Sequence, residues 1–485
     1  MLSIGSGPHS MLSENALHRL GQAYAAAGHQ LYAVGGCVRD LLLGRPTSDY
    51  DFTTDALPET SKRLLGALRP EALYNVGEKF GTIGALLEGH RVEVTTYRGE
   101  QYTAEGKRHP TVTFGVGLRD DLSRRDFTIN AMALDVTVAS HALVGAGSPA
   151  PEAVADRPAA LVDPFGGQDD LQAMLVRAVG DPLQRFGEDP LRLLRAVRFA
   201  TQLGFTIEGE TEAAIAAEAA RLATISTERI AEEMNKLLLA DRPVRGIRLL
   251  VALGLMPSIL PEILAMIGMR QNSEYHHKDV YNHVLQVLDQ TQPTLHLRWA
   301  ALLHDIAKPA TFSVVDGKVH FYSHEVIGAS MARAVLARLH FDHVFVDEVS
   351  DLVAKHMRIN TYGGDWTDGA VRRFMREAGE QLPNLFALSR ADVTSHRPER
   401  VEAVMRGVAE LEERVEGIAA RQEVAKLHSP LDGNDLMTLF GRTPGPWIKP
   451  IKDYLLDLVL DGQLDQDDKE TGAELARAFV AGQAP

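Results

Sequence analysis

The sequence holds a single cysteine, Cys37, so no internal disulfide can form, which suits a reducing compartment. It has no apolar run of about 18 residues, so a membrane-spanning helix is not expected. The first twenty residues, MLSIGSGPHSMLSENALHRL, lack a basic stretch followed by an apolar one and do not read as a signal peptide. They read as a short leader before a first helix near 13–27. An excess of positive charge is also missing: 50 Lys and Arg stand against 65 Asp and Glu, a net charge of −15. Phosphate contacts need Lys and Arg, so this balance argues against a surface basic throughout, but not against a local basic strip. The remaining composition, 45% apolar and 24% charged over 485 residues, is that of a soluble globular chain. That length suits roughly three or four domains.

The most informative stretch is residues 31–55, LYAVGGCVRDLLLGRPTSDYDFTTD. Gly35 and Gly36 follow the apolar run Leu31, Tyr32, Ala33, Val34 and precede a helical stretch from Val38 to Leu43. A glycine turn that opens a helix leaves backbone N–H groups free, which suits a triphosphate. Asp49 and Asp51 sit two apart, so on an extended segment both carboxylates point to one face. Two such carboxylates can hold a pair of Mg²⁺ ions about 4 Å apart for in-line phosphoryl transfer. An Asp-x-Asp alone is a weak signal, whereas GG-x-VRD followed closely by D-x-DF is far more specific.

This stretch resembles the signature of the class II tRNA nucleotidyltransferase (CCA-adding enzyme) and bacterial poly(A) polymerase family, within the polymerase-beta-like nucleotidyltransferases. The resemblance implies that Asp49 and Asp51 are catalytic and bind metal, and that Gly35, Gly36 and Arg39 seat the triphosphate. Short β-type runs (LYAVGG, GTIGALLEG, RVEVTTY, VTFGVG) interleaved with helices fit a small α/β head. Glu93 lies on one such run, and the family often places a third acid there, so Glu93 is a candidate for metal or structural support. Residues 99–110, with Glu105, Lys107 and Arg108, read as a loop. In the resembling family a flexible loop at this place helps the switch from C to A addition, and here it looks full length.

SRRDFTINAMAL, 123–134, matches the family's second motif. By that resemblance Arg124 and Arg125 contact phosphates, Asp126 the ribose hydroxyls and Asn130 the nucleotide. Arginine suits phosphate through its planar fork of donors. Residues 138–160, rich in Ala, Gly and Pro, read as an irregular insertion. LVDPFGGQDDL, 161–171, reads as a structural turn around Asp163 that joins the head to a neck. GEDPLRLLRAVRFATQLGF, 187–205, reads as a helix with Leu191, Leu194, Val197 and Ala200 on one side. On it Asp189 and Arg192 lie one turn apart and can present one edge. A carboxylate accepts from an exocyclic amine and a guanidinium donates to ring acceptors. The family uses this Glu188, Asp189, Arg192 motif as a protein template that chooses C or A. Arg195 and Arg198 extend a basic stripe toward triphosphate or RNA. From 206 to 272 the pattern is helical throughout.

Histidines then become dense: His276, His277, His283, His304 with Asp305, His320, His324, His356, and finally Asp392. An adjacent His-Asp within an apolar helix needs a reason, and a divalent metal is one. The order resembles the HD phosphohydrolase superfamily. That match implies His283, His304, Asp305 and Asp392 as core ligands of a divalent transition metal or Mg²⁺. His324 and His356 would be further ligands or phosphate contacts, and the activity would be that of a phosphatase or 2′,3′-cyclic phosphodiesterase. Residues 401–427 read as a charged helix. The tail that follows places Ile451, Tyr454, Leu455, Leu458 and Val459 at helical spacing. Lys449 and Lys452 stand near its start, solvated or touching tRNA.

The expected fold is an α/β polymerase-beta-like nucleotidyltransferase head followed by an all-α neck, body, HD domain and tail. The expected boundaries are a leader at 1–27, head 28–172, neck and body 173–272, HD domain 273–400 and tail 401–485. The expected function is untemplated addition of the 3′-terminal CCA, or part of it, to tRNA from CTP and ATP. The expected setting is the cytoplasm, with no membrane and no obligatory protein partner. CC-adding, A-adding and poly(A)-adding enzymes share these motifs. From other classes, an HD phosphohydrolase with a non-catalytic head and an RNA-binding scaffold also remain as readings.

Overall fold

A computed structural model describes residues 12–47, 49–75, 77–101, 111–139, 160–269, 279–362, 364–394, 398–421 and 427–482. Glu105, Lys107, Arg108, most of the insertion at 138–160, His276 and His277 lie outside these residues. The chain divides into two compact units. The first is Met1–Glu233 with Arg245–Ser258, and the second Met234–Val244 with Ile259–Pro485.

The first unit is built on a seven-stranded sheet. Its strands are β1 (Leu31–Val34), β2 (Asp49–Thr54), β3 (Ala72–Tyr74), β4 (Thr82–Leu87), β5 (His90–Thr96), β8 (Ala133–Asp135) and β9 (Leu161–Val162). Between β5 and β8 in sequence, β6 (Arg98–Gln101) and β7 (Thr111–Phe114) form a separate hairpin, so the expected loop is already strand at 99–101. The sheet order is β3-β4-β5-β2-β1-β8-β9. Only β2 and β5 pair in parallel within it, and they meet at its centre. Strict alternation of burial on β4 and β5 turns Ile83, Ala85, Val92 and Val94 into the core and leaves the other face partly open.

Helices follow the sheet in chain order. The helix expected over 187–205 is two helices, Pro182–Glu188 and Leu191–Leu203. The break falls at Asp189 and Pro190: proline lacks the N–H that a continuous helix needs there and pushes the preceding residue into an extended conformation. Leu191, Leu194, Val197 and Ala200 are buried as their spacing predicts. Thr206–Ile207 is a short strand paired in parallel with Leu175–Val176, so the region after 206 is not helical throughout. The turn at Asp163 is held by its carboxylate, which accepts from Gly167 N at 2.8 Å and Gln168 N at 2.9 Å. A Cβ at Gly167 would stand 2.4 Å from the Thr128 carbonyl oxygen, so only glycine fits.

Among the described residues the second unit is helical apart from one hairpin, Phe312–Val315 with Lys318–Phe321. Helices Val280–Gln290, Leu295–Leu303, His324–Arg338, His343–Asn360 and Leu382–Asp392 carry its ionisable cluster. The charged stretch after 398 is the helix Pro398–Arg421. The tail packs Leu436, Ile451, Leu455, Val459 and Ala476 into a small core of its own. No helix among the described residues is long and apolar enough to cross a membrane.

Candidate active sites of the two units

On β2, Asp49 and Asp51 are exposed and the intervening Tyr50 is buried, so both carboxylates leave one face of the strand. The parallel register with β5 sets Glu93 directly opposite Asp51 and Arg91 opposite Asp49. Arg91 Nη2 lies 2.5 Å from Glu93 Oε1. Three carboxylates therefore share one open patch at the centre of the sheet. Protein packed around Asp51 desolvates its carboxyl, although solvent reaches it, and raises its pKa; Arg125 opposes the rise, while Glu93 and Asp49 add to it. A patch that resists ionising all its acids at once is one a divalent cation relieves, so the donor set fits such an ion.

The glycine turn lies beside this patch. Gly35 has φ +75°, in the left-handed region, and precedes the helix Gly36–Leu42. A Cβ at Gly35 would meet Arg125 Nη1 at 3.1 Å and Asp51 Oδ2 at 3.7 Å. Glycine is needed for both the backbone angle and the close approach.

Asp121, fully buried, organises the arginines of the second motif, and its role was not read from the sequence. Arg124 donates to it at 3.0 Å through Nε, Arg125 Nη2 lies at 3.9 Å, and Thr53 donates to its other oxygen at 3.0 Å. An Asp three residues before an arginine in DDLSRRD is the signal that could have shown it. Burial lowers the pKa of the Arg125 guanidinium, and the neighbouring Asp121 opposes that. Arg39 donates to Asn130 Oδ1 at 2.8 Å and to both oxygens of Asp40 at 2.9 Å. Asp126 accepts from Phe127 N at 2.9 Å, Asn130 Nδ2 at 3.2 Å and Arg195 Nε at 2.8 Å. Burial alone would raise the Asp126 carboxyl, but Arg195 and the hydrogen bonds bring it down to about 2.

Asp189 and Arg192 are close in sequence but held by different partners. Asp189, in extended backbone between the two helices, accepts from Leu191 N at 3.1 Å and from Arg229 Nη2 at 2.8 Å. Arg192 donates to Glu188 at 2.9 Å and to the Arg124 carbonyl at 2.8 Å. Arg195 and Arg198 do not form an open stripe: Arg198 is buried, donates to Glu233 at 2.5 Å and lies 3.8 Å from the Phe199 ring centre. Glu233 and Arg229, on the helix Thr227–Leu238, are the partners that motif reading missed.

In the second unit four imidazoles converge on Asp305 and Asp392. His304 ends the helix Leu295–Leu303 rather than lying within it, and Asp305 is in the turn that follows. His304 donates Nδ1–H to Ala301 O at 2.9 Å, His324 to Phe321 O at 2.8 Å and His356 to Val353 O at 2.7 Å. Each bond fixes the tautomer and leaves Nε2 with its lone pair turned inward. His283 Nε2 lies 3.2 Å from His304 Nε2, 3.3 Å from Asp305 Oδ2 and 3.0 Å from Asp392 Oδ1. His324 Nε2 lies 3.5 Å from Asp305 Oδ1. The Nε2 atoms of His324 and His356 are buried without a hydrogen-bond partner. Burial lowers the His283 pKa, but the two carboxylates overcome it and lift it to about 9. Burial and the neighbouring His304 hold His356 at about 4. Two ligand groups result, His283–His304–Asp305 and Asp305–His324–His356, each with ligand atoms within 4.8 Å and with Asp305 in common. Orphaned inward imidazoles around shared carboxylates fit divalent cations, and one carboxylate can serve two ions. His320 is not part of either group; its ring stacks on Tyr322. Lys308, 2.7 Å from Asp305 Oδ2, is a neighbour the sequence reading did not name.

Sheet, acid patch and histidine cluster together define a nucleotidyltransferase head joined to an HD-type metal-binding unit. Comparison with known proteins agrees. Residues 31–177 match the Poly A polymerase head domain, 204–267 the probable RNA and SrmB-binding site of polymerase A, and 276–396 the HD domain. An A-adding tRNA nucleotidyltransferase of Deinococcus radiodurans is 34% identical, over 92% of this chain and 94% of the relative. A CCA-adding enzyme of a Geobacillus species is 31% identical, over 90% of each. The crystal structure of a Bacillus stearothermophilus CCA-adding enzyme with CTP superposes with a TM-score of 0.66 at 26% identity, covering 96% of this chain and 98% of that one. The chain belongs to the class II tRNA nucleotidyltransferase and bacterial poly(A) polymerase family and carries an HD domain.

Proposed function

We propose that the protein adds the 3′-terminal CCA, or part of it, to tRNA in the cytoplasm, using CTP and ATP and no nucleic-acid template. The observation that carries this reading is the open patch of Asp49, Asp51 and Glu93 beside the Gly35 turn. Asp49 and Asp51, with Glu93 in support, are the residues to hold two Mg²⁺ ions, which when bound lower the pKa of the RNA 3′-hydroxyl and neutralise the leaving pyrophosphate. The 3′-hydroxyl gives up its proton to water as its oxygen bonds to the α-phosphorus, and the bond from that phosphorus to the bridging oxygen of the β-phosphate breaks, so pyrophosphate leaves with the bonding pair. The Gly35–Gly36 turn with Arg39, Arg124 and Arg125 seats the triphosphate, Asp126 takes the ribose hydroxyls and Asn130 contacts the nucleotide. Asp189 accepts the exocyclic amine common to C and A, and Arg192, steadied by Glu188, donates to the ring. Arg195 and Arg198 act from behind, through Asp126 and Glu233.

Head, neck with body, HD domain and tail are assigned to 28–172, 173–272, 273–400 and 401–485, with the tRNA on the helical parts. The HD unit is read as a phosphohydrolase acting on RNA ends. His283, His304, Asp305 and Asp392 are its core ligands for a transition metal or Mg²⁺, and His324 and His356 serve a second position. There, water adds to phosphorus and the ester oxygen leaves with a proton.

The A-adding relative supports one narrower reading, addition of the terminal A alone. The test offers tRNA transcripts ending at the discriminator base, at C and at CC, with CTP and ATP singly and together. CCA on all three ends supports the proposal. A single A added only to the CC end selects the narrower reading, and no addition to any end overturns both.

A further inference from the structure

The hairpin Phe312–Phe321 and the first turn of the helix His324–Arg338 carry an unusual surface. Phe312, Val314, Val315, Tyr322, Val326 and Ile327 all lie within 312–327 and are all exposed. Apolar surface gathered in this way marks a place where something binds. Its aromatic part is ordered: the rings of His320 and Tyr322 stack with centres 4.9 Å apart and planes 6° apart, and Tyr322 is 62% exposed. The same hairpin is fastened to the metal-ready cluster. Phe321 supplies the carbonyl that His324 Nδ1 bonds at 2.8 Å. Lys308 Nζ stands 2.7 Å from Asp305 Oδ2 and 5.5 Å from the centre of the Phe321 ring. Tyr322 is two residues from His324, at most about 7 Å along the backbone. The exposed face of Tyr322 thus stands, along the chain, within a nucleotide's reach of His324 and the imidazole cluster, whose Asp305 is already neutralised by Lys308.

We propose that the Tyr322–His320 stack is the base platform of the HD unit, and that this unit takes a terminal ribonucleotide bearing a 2′,3′-cyclic or 3′-phosphate. The base lies on Tyr322 and the phosphate at the histidine cluster. This rests on the reading of the unit as a phosphohydrolase. Stacking is tolerant of base identity, so the platform accepts all four bases.

Two measurements on the full-length protein test it. The first compares hydrolysis of 2′,3′-cyclic AMP with that of glycerol 1,2-cyclic phosphate, which has no base. Tyr322→Ala should raise KM for the nucleotide about ten-fold, the scale of one lost base stack, with kcat kept. KM for the glycerol ester should not change, and Tyr322→Phe should behave as the parent. Equal effects on both esters, or no effect on either, overturn the platform. The second crosslinks an RNA ending in 4-thiouridine 3′-phosphate under ultraviolet light. Adducts should map to peptides containing Tyr322 and fall at least five-fold in Tyr322→Ala. Adducts at the head are expected from its own RNA site; no adduct at Tyr322, or adducts within the HD unit that map only to other peptides, overturns the proposal. Absence of turnover on both esters refutes the phosphohydrolase reading instead, and the crosslink then decides the platform by itself.

Discussion

Arg229 reaches both carboxylate oxygens of Asp189, Nη2 to Oδ2 at 2.8 Å and Nη1 to Oδ1 at 3.5 Å. The group assigned to read the base is thus held from the neighbouring helix, while Arg192 is held by Glu188. If Asp189 reads the base as proposed, base choice should depend on Arg229 as a positioning residue: a carboxylate free to rotate presents no fixed acceptor to the exocyclic amine. Asp189→Ala should relax the preference for CTP and ATP over UTP and GTP more than it slows addition. Arg229→Ala should shift selection the same way by about ten-fold, within the range for loss of one partner of a charged hydrogen bond. Competition assays with all four nucleotides measure both, and unaltered selection in Asp189→Ala refutes the template assignment.

The carboxylate patch makes a sharper prediction. Asp49→Asn and Asp51→Asn should each lower nucleotide incorporation by about 10³-fold, the scale for losing one preorganised electrostatic group. Asp49 is exposed, so Asp49→Asn should move the unfolding free energy by no more than about 0.5 kcal/mol, whereas Asp51→Asn removes a carboxylate that the surrounding protein desolvates and should leave the fold at least as stable as the parent. Single-turnover addition to a tRNA ending in CC, alongside thermal melts, separates loss of chemistry from loss of fold.

The two centres should also be separable by substitution. His304→Ala and Asp305→Ala each remove a ligand from the His283–His304–Asp305 group, and Asp305→Ala affects both groups. Bound metal, read by elemental analysis after gel filtration, should fall most in Asp305→Ala. Phosphatase activity should vanish in both variants while nucleotide addition persists. Chelation should lower the melting temperature of the parent, since a ligand at 100 times its Kd adds about 2.7 kcal/mol to the folded state. Phosphatase activity unchanged in both variants would show that the cluster is not the hydrolytic centre.

Much of this was legible in the sequence because the signals are local. The alternation around Tyr50 fixes the faces of Asp49 and Asp51, and the glycine pair fixes the turn. The histidine order carried the HD unit for the same reason. What could not be read was pairing across distance. Nothing in the chain says that Glu233, 35 residues away, accepts from Arg198, and so the expected basic stripe proved to be a buried ion-pair network. Asp121 was missed because a carboxylate near arginines reads as surface charge until burial is known. Pro190 was a legible break that helical periodicity overrode, and it decides that Asp189 stands outside the helix.

Asp126 offers a test of that network through pH. Its carboxyl falls from 3.8 to about 2 in the folded chain, against the pull of burial, because Arg195 and Asn130 favour the charged form. A depressed carboxyl stabilises the fold above its unfolded value and loses that contribution as pH falls through the folded one. The difference amounts to about 2 kcal/mol, at roughly 1.36 kcal/mol for each unit. Asp126→Asn leaves Arg195 with Glu233 alone and should cost about 3 kcal/mol near neutral pH, as expected when one member of a buried pair is removed. Urea unfolding of parent and variant should show that gap constant down to about pH 4 and narrowing toward pH 2, as the parent's carboxyl takes up its proton. A gap independent of pH across that window would mean that Asp126 supports the fold through packing and not through its charge.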